Sequence, residues 1–401
     1  MSKITSETLP QFQKFLSERG LDAWLLYDFH DLNPFARQFL PLEEGVFTRR
    51  WCYLLPARGT PTVLVHRIEE NYFEGLTGNL VLYSGWQEFE NVVAELLAGH
   101  RRVAMEYSPG CALPYVSKID AGTMELIRRT GVEVLSSGDI IQYFHSRWTA
   151  QGYARHKATV PIMHRIREQA FAAIAEAVRP GRSINEYTIQ QQIAAEFANT
   201  GLISDAPPIV AVDAHAAMPH YAPTENSHAP IEKSNLVLID MWAKQADDPE
   251  ATYVDITWTG YAGKNVPDQI ARIFDIVKRA RDTAVSFIAE RLTSGQPVAG
   301  MEVDQACRRV ITEAGYGPYF THRTGHSIDT EVHGAGVNID ALEMRDDRQL
   351  IPGVGFSIEP GIYLPGEFGI RSEIDAYINE SGVEVTTAPS QEEVLPLLAL
   401  F

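Results

Sequence analysis

The 401-residue chain has only three cysteines, Cys52, Cys111 and Cys307, widely separated and without a CxxC pair. Neither a disulfide framework nor a zinc knuckle is expected from them. Basic residues are scarce too: 34 Lys and Arg stand against 52 Asp and Glu, a formal charge of −18. That balance argues against nucleic acid or anionic membrane as a partner, because phosphate binding needs a basic surface. No run approaches the roughly eighteen uninterrupted apolar residues of a membrane span, and the opening MSKITSETLPQF has no apolar core of signal-peptide length. Low-complexity segments are missing as well. A soluble, cytoplasmic protein in a reducing compartment is the expectation.

What the chain does have is 45% hydrophobic residues, enough at this length for two sizeable cores and hence two domains. Leu9, Phe12, Phe15 and Leu16 form a helical stripe stopped by Gly20, and Ala23 to Tyr27 reads as a strand. Arg50–Leu55 and Thr62–Val65 suggest a hairpin around Arg58-Gly59, and further strand and helix signals alternate through Leu135. This is a mixed α/β domain without a catalytic cluster. Gly and polar residues in WTAQGYARHK, near Trp148 to Lys157, place the boundary, giving domains 1–155 and 156–401. Beyond it, a helix around Ile162 to Ile174 is stopped by Pro180-Gly181, and Ser183 with Glu186 spells a capping box for the next. A third helix opens at Pro267 and runs toward Leu292, and a fourth spans about Glu302 to Gly315. Helices flanking antiparallel strands make an α+β domain.

Five acids and imidazoles in this second part stand in strands or at strand ends: Asp240 in LVLID, Asp255 in YVDIT, His326 in HRTGHS, Glu359 in FSIEPGIY and Glu373 in GIRSEID. Two aspartates, one histidine and two glutamates form a hard, oxygen-rich set suited to two divalent ions. Asp240 ends the apolar run Leu236 to Ile239, and an acid on a buried strand must be neutralised or coordinated. QADDPE reads as a turn, so a hairpin would bring Asp240 and Asp255 side by side. Along the last segment, alternation puts Arg371, Glu373 and Asp375 on one face.

These segments, with APPIVAVDAHAAMPHYAPT before them, resemble in order the motifs of the pita-bread metallopeptidases, the family of aminopeptidase P, Xaa-Pro dipeptidase (prolidase) and methionine aminopeptidase. The likeness implies an α/β N-terminal domain of the creatinase/prolidase type, followed by a pita-bread catalytic domain with antiparallel sheet and flanking helices. It implies metal ligation by Asp240, Asp255, His326, Glu359 and Glu373, with Asp255 and Glu373 bridging both ions. His220 in PHY, His322 and His333 in EVH match second-shell and substrate-contacting histidines. The implied reaction is hydrolysis of the Xaa-Pro bond in dipeptides or short peptides through a metal-bridging hydroxide. Manganese is the favoured ion, with zinc or cobalt as alternatives. Glu359 fits a general base and then acid, and His333, with His220 beside it, fits a donor to the developing oxyanion. Arg371 either receives a substrate carboxylate or pairs with a strand neighbour such as Asp375. A homodimer is implied, in which the Phe29 to Trp51 region is a candidate lid.

Several positions depart from the pattern. The two aspartates stand 15 positions apart, a longer hairpin than is usual, which leaves Asp247 and Asp248 as exposed turn residues. Trp258 replaces an Arg after DIT, and Gly334 replaces a Glu after EVH; both are expected at the rim of the pocket. Removal of the N-terminal residue from longer peptides, as in aminopeptidase P, is the alternative activity. A creatinase-like non-peptidase hydrolase or a non-enzymatic binding protein on the same fold would each leave the five ligand-type residues unexplained.

Overall fold

The structure, a computed structural model, describes residues 3–401. Contacts divide the chain into two compact units, one ending at His145 and the other running Ser146–Phe401.

The first unit contains α1 (Leu9–Glu18), β1 (Ala23–Asp28), α2 (Pro34–Phe39), β2 (Trp51–Pro56), β3 (Thr62–His66) and β4 (Asn79–Tyr83). It continues with α3 (Trp86–Leu97), β5 (Arg102–Met105), α4 (Ala121–Arg129), β6 (Glu133–Ser136) and α5 (Gly138–Ile141). Its six strands form one mixed sheet in the order β4-β3-β2-β1-β5-β6. The β2–β3 hairpin forms as the Arg58-Gly59 turn predicts. Phe89 and Val93 of α3 and Met124 and Ile127 of α4 pack with Leu25, Leu54 and Val103 of the sheet, which buries the apolar stripe of each helix. Glu106 is fully buried and accepts from Trp24 Nε1 and Asn33 Nδ2, both at 2.7 Å. Burial pushes its carboxyl up to about 7 against those two donors.

The second unit opens with α6 (Ala150–Val178), β7 (Ile184–Asn185), α7 (Glu186–Asn199), β8 (Leu202–Ile203), β9 (Ile209–Val212) and β10 (Pro230–Ile231). The long hairpin β11 (Leu236–Gln245) and β12 (Val254–Tyr261) follows, then α8 (Asp268–Thr293), α9 (Gly300–Glu313) and β13 (Ser327–Ile328). The chain ends with β14 (Gly355–Ile358), β15 (Gly361–Leu364), β16 (Phe368–Arg371), β17 (Ile374–Asn379), β18 (Gly382–Val385), β19 (Leu395–Pro396) and α10 (Leu397–Leu400). One sheet runs β19-β12-β11-β8, with β9 also on β11; another runs β13-β14-β17-β18. No helix among the described residues is long and apolar enough to cross a membrane.

Three local expectations are corrected. WTAQGYARHK is not a break: Thr149 caps α6 by accepting from Gly152 N, and the helix runs through the whole segment. Gly152 is there for close packing, since a Cβ would lie 2.9 Å from Glu250 O. The capping box is also absent from α7, where Asn185 is the cap and accepts from Thr188 N. Glu186 instead lies fully buried and accepts from Val212 N, Ala229 N, His215 Nδ1 and Tyr221 OH, which pins the loop carrying His220. Asp247 is exposed as expected, but Asp248 is buried and accepts from Gln151 Nε2 (2.6 Å) and Arg155 Nε (2.8 Å). A turn acid with two donors in reach folds inward.

Candidate metal centre

Strand alternation decides what β12 offers. Val254, Ile256 and Trp258 pack with Val160 and Phe171 of α6 in one core cluster, so Asp255, Thr257 and Thr259 face the opposite side. In the β11–β12 register Asp240 lies opposite Thr257 and Asp255 opposite Trp242. The two aspartates are therefore diagonal neighbours on one face. Asp375 Oδ2 accepts from Asp255 N at 2.8 Å, and Thr257 Oγ1 donates to Glu373 Oε2 at 2.6 Å, which ties β12 to the β16–β17 segment.

His326 and Glu359 arrive from the other half of the unit. Glu359 N donates to Thr324 O, Ser357 N to His326 O, and His326 N to Ser357 Oγ, so the two segments lie edge to edge. Only glycine permits this approach at 325, where a Cβ would lie 1.9 Å from Ser357 O. His326 Nδ1 faces the Ser327 carbonyl at 3.2 Å, which orients Nε2 toward Asp255 Oδ2 (3.6 Å) and Glu359 Oε1 (3.4 Å). The outcome is a buried cluster in which ligand atoms of Asp255, His326 and Glu373 lie within 4.8 Å of one another.

Asp240 joins through Arg371, whose Nη2 donates to Asp240 Oδ2. Arg371 Nη1 donates to Tyr363 OH (3.0 Å) and Nε to Thr257 Oγ1 (3.1 Å). Its partner is thus Asp240 and not Asp375. The chain extends further: Tyr363 OH lies 2.7 Å from His322 Nε2, and His322 Nδ1 lies 2.7 Å from the Arg323 carbonyl. Burial pushes His322 down to about 3, so the neutral ring donates from Nδ1 and accepts the Tyr363 proton at Nε2. His333 stacks edge-on against His326 with centroids 4.4 Å apart, while His220 is exposed. The loop under His333 is pinned by Trp148 Nε1 on Ile328 O and Lys244 Nζ on Thr330 O.

The electrostatics fit a cation. Burial, then the neighbouring Asp240, holds the Asp255 carboxyl well above its ordinary range; burial, then Asp255, does the same for Glu373. Burial also raises Glu359 to about 7 against Arg371 and Arg323. Asp240 Oδ1 and Asp255 Oδ1 are buried and accept no hydrogen bond, and the donor set is hard carboxylate with one imidazole. Arg371 and Arg323 together do not offset the four acids, so the residues present suit divalent ions.

The family model described as metallopeptidase family M24 matches residues 160–380, more than half of the chain. The chain belongs to that family. An Xaa-Pro dipeptidase from Lactobacillus delbrueckii subsp. lactis is 31% identical over 229 residues, 57% of this chain and 57% of that protein. The chain thus matches less than two thirds of that relative's length. The dipeptidase PepE from Mycobacterium ulcerans superposes with a TM-score of 0.71 at 22% identity, covering 98% of this chain and 97% of that one. A prolidase from Thermococcus sibiricus gives 0.64 at 23% identity, covering 98% and 100%. These likenesses establish the two-part pita-bread architecture of the M24 enzymes.

Two of the departures acquire physical reasons. Trp258 is not at the rim: its ring sits in the α6 core beneath the Arg167 guanidinium, 3.7 Å from the centroid. At Gly334 a Cβ would lie 2.5 Å from Asp329 Oδ2, so the missing side chain makes room for a buried aspartate. Sequence reasoning missed Tyr363, Thr257 and the role of Asp375. Thr257 shares the face of Asp255 by simple alternation, a signal open to reading; Tyr363 needs the β15–β16 pairing to be known.

Proposed function

We propose that this M24 enzyme is a dinuclear metal-dependent peptidase that hydrolyses the Xaa-Pro bond of dipeptides or short peptides. The observation that carries the reading is the convergence of Asp255, His326 and Glu373 within 4.8 Å, with Glu359 beside them, in a chain of a metallopeptidase family. The substrate class is supported by similarity to a protein named Xaa-Pro dipeptidase.

In this reading Asp240, Asp255, His326, Glu359 and Glu373 would hold two divalent ions; manganese is favoured, with zinc or cobalt as alternatives. When bound, such ions make a water molecule acidic and polarise a carbonyl. Glu359, held by its backbone N–H on Thr324 O, takes up the proton and passes it to the leaving nitrogen. His333 and His220 donate to the carbonyl oxygen as charge develops there. Arg371, Tyr363 and His322 form a buried relay that fixes Asp240, and Arg371 acts by positioning that carboxylate. The reading extends to a cytoplasmic homodimer, which light scattering and cell fractionation test.

Hydrolysis of Ala-Pro, Gly-Pro, Met-Pro, Ala-Pro-Ala and Ala-Ala by chelated protein, with and without added Mn(II), tests the proposal. Metal-restored cleavage of the Xaa-Pro dipeptides is expected. Preference for the tripeptide identifies an aminopeptidase P activity instead, and no cleavage with any metal contradicts both.

A further inference from the structure

Two of the candidate site histidines, His220 and His322, line a cleft of about 670 Å³ together with Met218, Pro219, Tyr221 and Glu343. Met218, Pro219 and the Tyr221 ring give it an apolar wall, and Met218 keeps 48% of its surface exposed. Glu343 is the one carboxylate among its described lining residues. That side chain is set in place. Asp340, fully buried, accepts from Leu342 N and Glu343 N, both at 2.9 Å, and Arg323 N donates to Glu343 Oε1 at 2.9 Å. Glu343 is exposed. His322 brings no competing positive charge, since burial keeps its ring neutral between the Arg323 carbonyl and the Tyr363 hydroxyl.

The geometry points to a recognition subsite for a basic side chain of the bound peptide, with Glu343 as the counter-charge for a lysine ammonium or arginine guanidinium. An apolar wall ending in a fixed carboxylate is what such a side chain needs, because its aliphatic stem packs on apolar surface while the charged head stays wet. A free amino terminus carries the same charge without a stem and makes no use of the Met218 wall. The inference rests on the peptidase reading and adds its preferred substrates: Xaa-Pro peptides in which a Lys or Arg side chain reaches the cleft.

The test compares metal-loaded wild type and Glu343→Gln on Lys-Pro and on norleucyl-proline, which keeps the stem without the charge. Gln still accepts from Arg323 N, so the substitution removes charge and leaves the turn intact. The ratio of kcat/KM for Lys-Pro over norleucyl-proline is expected to fall roughly two- to five-fold, the scale of a partly exposed ion pair. Glu343→Lys is expected to invert the preference toward Glu-Pro. An unchanged ratio, including an equal loss on both peptides as amino-terminus recognition or a purely structural role would give, overturns the inference. If wild type cleaves no peptide, the peptidase reading fails on its own. Calorimetric titration of Lys-Pro into the same metal-loaded proteins then decides the subsite: weaker binding by Glu343→Gln than by wild type sustains it, and equal or absent binding overturns it.

Discussion

Asp255 and Glu373 are buried acids whose nearest charged neighbours are mainly other acids, and removing one carboxylate charge removes what attracts a cation. Asp255→Asn or Glu373→Gln is expected to abolish activity and lower bound metal, measured by elemental analysis of purified protein. His333→Ala is expected to keep its metal and lose turnover on the order of 10²-fold, the scale of one oxyanion donor. Asp255 and Glu373 could be singled out as candidates because hard ligands on strand segments leave a pattern, and His333 only through the family resemblance, whereas Tyr363, which bonds Arg371 and His322, carries no pattern until the strands are paired. Glu186 shows the limit: its spacing from Ser183 matches a capping box, and only tertiary contacts reveal four other donors converging on it. Glu106 makes a separate case in the first unit. Its carboxyl rises from 4.5 to about 7 on burial, so the folded state holds the proton more tightly than the unfolded chain. The stabilisation is complete below the unfolded value and lost as pH rises through about 7, a change of roughly 3 kcal/mol for that shift. Urea unfolding at pH 4.5 and pH 8 should show wild type losing about that much relative to Glu106→Gln; a pH-independent difference would contradict it.

Among the elements, β12 is the decisive one. Its alternation sends Asp255, Thr257 and Thr259 toward β16 and β17 and sends Val254, Ile256 and Trp258 beneath α6. The strand itself was readable from YVDIT, and so was the common face of its acid and threonine. The destination of Trp258 was not, because which face meets a helix depends on where α6 packs. Trp258→Ala should therefore destabilise the second unit by roughly 3 kcal/mol through lost core volume, while metal content stays at the wild-type value. Thermal unfolding and elemental analysis check this; a change in dipeptide preference with unchanged Tm would restore Trp258 to the rim. The start of α6 was misread for a related reason. Gly and polar residues usually mark a linker, yet Gly152 is needed where the helix meets the Glu250 carbonyl, a contact between segments about a hundred positions apart.

At the scale of the whole molecule, the two units divide the labour unevenly. All five candidate ligands and the three flanking histidines belong to the unit Ser146–Phe401, which contains the segment matched by the M24 model. The mixed sheet of the first unit was legible from alternating helix and strand signals, but its strand order, with β1 between β2 and β5, is set by pairings that leave no mark in local sequence. The central proposal is that the carboxylate and imidazole cluster holds a working metal pair. The most direct measurement is stepwise titration of chelated protein with Mn(II), following bound metal and Ala-Pro hydrolysis together. Activity should be absent without metal and rise to a plateau as two equivalents bind per chain. Full hydrolysis by the chelated protein, or metal binding that leaves the rate at zero, would contradict it.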